Sequence, residues 1–149
     1  MPLEISTEIA LFQLRIFAIP GAIAVPRFRV ITFTVDDNSN LVRPPNEPPV
    51  GTRQDPGHCY STPQDAVDAL PDTDEPRVYF VTYDYRLRLV KYFPSAQIRQ
   101  KYQDILDGVE QVVLERSGLE CKELVEVGTK EELLVFLEGV LCTPPPTDF

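Results

Sequence analysis

Residues 94–141, PSAQIRQKYQDILDGVEQVVLERSGLECKELVEVGTKEELLVFLEGVL, decide the reading of this chain. Ile98, Tyr102, Ile105, Leu106, Val109, Val112 and Val113 recur at the i, i+3, i+4, i+7 spacing of one helical face. Arg99, Gln100, Gln103, Asp104, Asp107, Glu110 and Gln111 fill the opposite face and suit water. Ser95, directly after Pro94, stands where an N-cap belongs, and Gly118 where a left-handed C-cap belongs. Roughly 22 residues lie between them, about 33 Å of helix at 1.5 Å per residue. Gly108, inside that helix, costs about 1 kcal/mol relative to Ala, and predicts a close approach by another backbone.

Working toward the C-terminus, Cys121, Val125 and Val127 alternate with Lys122 and Glu126, the pattern of a half-buried strand. Glu123 on the inner side and Leu124 on the outer side break the alternation. Gly128 turns the chain, and Thr129-Lys130-Glu131-Glu132 forms a capping box. The helix that follows carries Leu133, Leu134, Phe136, Leu137, Val140 and Leu141, and stops at Cys142 and the proline run 144–146.

Working toward the N-terminus, Arg77 to Phe93 has strand character over 17 residues, too long for one ordinary strand. A bend or hairpin is expected near Asp84. Pro44, Pro45, Pro48, Pro49, Pro56, Pro63, Pro71 and Pro76 make the preceding stretch a loop, interrupted by Thr62-Pro63-Gln64-Asp65, the opening of a short helix through Leu70. Leu11–Ile19 and Arg27–Val35, rich in Phe, Ile, Val and Thr, read as two strands joined by an irregular turn.

The 149 residues suit one domain, residues 1–149, with a proline-rich loop at 42–61 and a flexible tail at 143–149. Strands at the front and helices at the back predict an α+β fold. An antiparallel or mixed sheet would carry the two main C-terminal helices on one face. The order of elements resembles that of ferredoxin-like sandwiches, a likeness that implies nothing about function.

The residues exclude more than they assign. There is no apolar run long enough to span a bilayer and no basic, apolar leader, so a cytoplasmic protein away from membranes is expected. Cys59, Cys121 and Cys142 are odd in number and lack CxxC spacing, against a disulfide framework. One histidine and scattered cysteines give no conventional zinc site. No metal and no cofactor are expected. GxSxG, GxGxxG, Walker and HExxH patterns are all absent from the sequence. The net charge of −9 would repel a nucleic acid.

Charge is unevenly spread. Residues 77–93 hold Arg77, Arg86, Arg88 and Lys91 against Asp84 alone. Arg86 and Arg88 share one face of an extended chain, about 7 Å apart. With Tyr83 and Tyr85 beside them, Arg86, Arg88 and Lys91 read as a basic patch gripping an acidic partner or a phosphate. The competing reading is a strand whose cations pair with neighbouring carboxylates and blunt an edge. A second candidate is the loop His58-Cys59-Tyr60, as a ligand site or as a turn that docks Tyr60 on the core. The expected function is a non-catalytic protein-interaction or regulatory module that self-associates as a homodimer. The alternative is a small enzyme or small-molecule-binding protein with its pocket near residues 55–62.

Overall fold

A computed structural model describes residues 28–36, 38, 41–42, 44, 60–70, 74–83, 86–116 and 120–142. The described elements are β1 (Arg29–Val35), β2 (Leu41–Val42), α1 (Pro63–Asp68), β3 (Arg77–Tyr83), β4 (Arg86–Tyr92), α2 (Ala96–Arg116), β5 (Cys121–Val127) and α3 (Lys130–Leu141). The strand expected at Leu11–Ile19, the Gly118 cap, the tail and most of the proline-rich loop lie outside the described residues.

The strands form one mixed five-stranded sheet in the order β2-β1-β3-β4-β5. Every pairing is antiparallel except β4 with β5, which is parallel and spans α2. Arg77–Phe93 resolves as expected into a hairpin: Tyr83 pairs with Arg86, so only two residues link β3 to β4. The α+β class with a mixed sheet is thus what the sequence predicts. Leaving β2 and α3 aside, the described elements run β-α-β-β-α-β, the ferredoxin-like order. The likeness ends there, because β1 lies antiparallel beside β3.

Helix ends form where their capping residues stand. Thr62 Oγ1 accepts from the Asp65 amide at 3.1 Å, with Pro63 at the first helical turn of α1. Ser95 Oγ accepts from the Ile98 amide at 3.2 Å at the start of α2. Thr129 Oγ1 accepts from the Glu132 amide at 3.1 Å and starts α3. Gly108 sits in the exposed middle of α2, where a Cβ would meet nothing within 4 Å. Among the described residues no backbone outside the helix comes close to it there.

One expectation about layering is corrected. α2 and α3 cover opposite faces of the sheet, not one. Ile31, Phe33, Val78, Phe80, Leu87 and Leu89 point to one side, under Leu106, Val109 and Val113 of α2. Val30, Tyr79, Val81, Val90 and Val127 point to the other, under α1 and Leu133, Leu137 and Val140 of α3. The cause is in the strands: residues of β3 and β4 are buried at both parities. Such strands need cover on two sides.

Candidate functional site

β4 lies between β3 and β5, and this position decides the fate of its cations. Residues alternate across a strand, so Arg86 and Arg88 point to the α3 side while Lys91 points to the α2 side. Arg88 is 0% exposed, with its Nε 3.7 Å from Glu123 Oε1. Lys91 is buried as well, and its Nζ donates to Asp107 Oδ1 at 2.7 Å and pairs with Glu110 Oε2 at 3.1 Å. Burial works to lower the Lys91 pKa, but the bonds to Asp107 and Glu110 outweigh it and raise the value above 10.5. In return, the Lys91 bond holds the Asp107 carboxyl below its ordinary value. Arg86 keeps partial exposure and reaches Glu120 at 3.2 Å.

Arg86, Arg88 and Lys91 therefore do not form one surface. The sheet divides them between its faces and turns two of them inward onto carboxylates. Tyr83 is half-buried, and Tyr85 lies outside the described residues. Of the second candidate, His58 and Cys59 also lie outside them. Tyr60 is buried beside α1 and exchanges backbone hydrogen bonds with Val30, at 2.9 and 3.1 Å. It docks on the core.

Among the described residues a crevice and a groove adjoin at Glu126 and Val127. The first is a crevice of about 410 Å³ at the carboxyl ends of β4 and β5, bordered by Phe93, Pro94, Ser95, Arg99, Glu126 and Gly128. α2 leaves β4 toward one face and α3 leaves β5 toward the other, the strand arrangement at which open sheets bind ligands. Arg99 Nε meets Glu126 Oε1 at 3.0 Å along this crevice, so its charges already neutralise one another.

The second feature is a groove of about 500 Å³ between β5 and α3, with an apolar floor of Val125, Val127, Val135 and Phe136 and a rim of Glu126, Glu131 and Glu132. Val135 is 70% exposed. Leu124, on the far side of the same strand, is 45% exposed. β5 ends the described sheet, and among the described residues no strand pairs with its outer side.

The sequence did carry a signal for this edge. The broken alternation at Glu123 and Leu124 reflects an edge strand whose inward Glu123 serves Arg88 while Leu124 stays in water.

Nothing described here assembles a nucleophile. Burial pushes the Cys121 thiol up, which disfavours the thiolate. Among the described residues no group of His, Cys, Asp or Glu is placed to hold a metal ion, and no helix is long and apolar enough to cross a membrane. Comparison with family models, curated proteins and solved structures returns no match.

Proposed function

We propose that this protein is a non-catalytic interaction module that acts through the open edge of β5 and the adjoining groove against α3. The observation that carries this reading is the exposure of Leu124 and Val135 on either side of a seven-residue edge strand. An open edge offers unpaired N–H and C=O groups to an extended partner, and flanking apolar side chains supply the contact area. The partner is a protein, since a chain of net charge −9 repels nucleic acid. Assembly or regulation follows from such binding without chemistry by the module itself.

The test is capture by tagged protein from the source organism, set beside light scattering of the purified chain. Leu124→Lys and Val135→Lys change exposed side chains and should leave the far-ultraviolet dichroism intact. Loss of the complexes formed by the wild type, whether with itself or with another protein, supports the reading. Unchanged complexes in both variants place the contact elsewhere.

The crevice at the ends of β4 and β5 favours a second reading, a small-molecule binder. A thermal-shift screen of small anions and nucleotides addresses it directly. A ligand shift that disappears in Arg99→Ala would establish that reading.

A further inference from the structure

We propose that the groove between β5 and α3 takes an extended segment of another protein, one that carries an apolar side chain and a lysine or arginine two positions apart. The inference rests on the edge-binding reading above and names the chemistry of its partner. The groove has two ends. Val127 closes β5, and Glu131 and Glu132 lie in the first turn of α3, so all three flank the turn between the two elements. Val125, Val135 and Phe136 stand farther from that turn, by two strand residues or about one turn of helix. Those steps measure about 7 Å and about 5 Å. The acidic end of the groove and its apolar end are thus separated by the spacing of alternate residues in a strand.

Charge selects the occupant. Among the described residues no cation pairs with Glu131 or Glu132, and both are exposed. Glu132 accepts a hydrogen bond from the neutral Thr129 hydroxyl at 3.2 Å, which leaves its charge in place. Nearby cations are engaged elsewhere: Arg99 with Glu126, and Lys130 with the Leu70 carbonyl at 3.1 Å. The positive end of α3 offsets only roughly half a charge of the two. An apolar floor under a negative rim suits a basic, apolar segment, whereas a second copy of this chain would bring its own net charge of −9.

Backbone direction sets the spacing. The Val127 carbonyl accepts from the Phe93 amide at 3.0 Å, so Val127 turns its peptide groups toward β4. From Leu124 to Val127 the pairing of β5 with β4 is regular, its irregularity lying at Leu87/Arg88. By alternation Val125 also turns toward β4, and Leu124 and Glu126 turn outward. A strand added along Leu124 and Glu126 sends every second side chain to the α3 side. The residue beside Val125 meets the apolar floor, and the residue two positions on, beside Val127, meets Glu131 and Glu132.

Fluorescein-labelled peptides test this against the full chain. Thr-Arg-Thr-Leu-Thr-Arg-Thr, with arginine two positions from leucine in either chain direction, should bind by fluorescence anisotropy, and more weakly as salt rises. Two controls of the same length separate the requirements. Replacing both arginines with glutamate should abolish binding. Thr-Thr-Arg-Leu-Arg-Thr-Thr, which moves the charges to the other face of the strand, should bind several-fold more weakly. Glu131→Gln with Glu132→Gln should weaken the first peptide on the order of tenfold, and the glutamine amide retains the capping box. Glu138→Gln, on α3 but outside the groove, should change nothing. Equal binding of the arginine and glutamate peptides, no binding of either, or a folded double variant with wild-type affinity overturns the basic partner. Equal binding of the two arginine peptides overturns the spacing. The edge-binding reading fails separately, if captured complexes ignore both Leu124→Lys and Val135→Lys.

Discussion

β4 and β5 are neighbours of equal length, and each carries charged residues among apolar ones. In β4 Arg88 and Lys91 are buried and held by carboxylates; in β5 Lys122, Glu123 and Glu126 face water. Composition does not separate the two strands. Position does: β4 has a strand on each side and helices above and below, whereas β5 lacks a described partner on its outer side. A central strand must neutralise its charges inside the molecule, because an unpaired buried charge is far more costly than a solvated one. An edge strand can leave its charges in water even where they pair, as Glu123 does with Arg88 and Glu126 with Arg99. Folding thus consumes the cations that look like a binding patch, and the plainer strand is left as the surface.

The largest test of this contrast is charge reversal on the two strands. Arg88→Glu places a carboxylate against Glu123 in a site with no solvent, and should destabilise by about 3–5 kcal/mol. For a chain of this size that lowers Tm by roughly 6–20 °C. Lys122→Glu should change stability by no more than about 0.5 kcal/mol. Calorimetry of both variants checks the pair of values. Similar losses in the two would show that position in the sheet does not govern the difference.

A smaller effect should sharpen it. β5 is anchored by its ladder to β4 and by Val127 against α3, whereas β4 is covered on both faces. Thr129→Ala removes the oxygen that caps α3 and should cost about 1 kcal/mol. Amide hydrogen exchange should then rise in α3 and β5 while β4 keeps its protection. Equal loosening of β4 would mean that the two strands share one cooperative unit.

Local chemistry was legible in the sequence wherever a residue acts on its near neighbours. Ser95, Thr62 and Thr129 cap the helices their spacing announces, and the long strand segment folds back near Asp84 as its length requires. Layering was harder to read, because it depends on which strands meet. Buried residues at both parities of β3 and β4 call for two layers of helix, yet helices near the end of the chain suggest one. The basic patch failed for a related reason. Arg86 and Arg88 share a parity that Lys91 does not, so alternation alone already separates them in an extended strand. What alternation could not show was the carboxylates of α2 and β5 that come to meet them across the sheet.

The smallest expected effect concerns Lys91, the β4 cation with two carboxylates. Removing Asp107 leaves Glu110 at 3.1 Å, so Asp107→Asn should cost less than about 1 kcal/mol near neutral pH, as half-exposed pairs do. Its pH dependence identifies the source. The folded pKa of Asp107 lies below its ordinary 3.8 because Lys91 bonds the carboxylate. A group with a depressed folded pKa contributes stability above the unfolded value and loses it as pH falls through the folded one. The gap between wild type and Asp107→Asn should therefore be constant from neutral pH down to about 5 and close at more acid pH. Denaturant melts at pH 7, 5 and 3 measure it. A gap that persists unchanged at the lowest pH would assign the loss to altered packing of α2 instead of the ion pair. Lys122→Ala on β5, run alongside, should show no comparable change between these pH values, as expected of a charge that folding leaves in water.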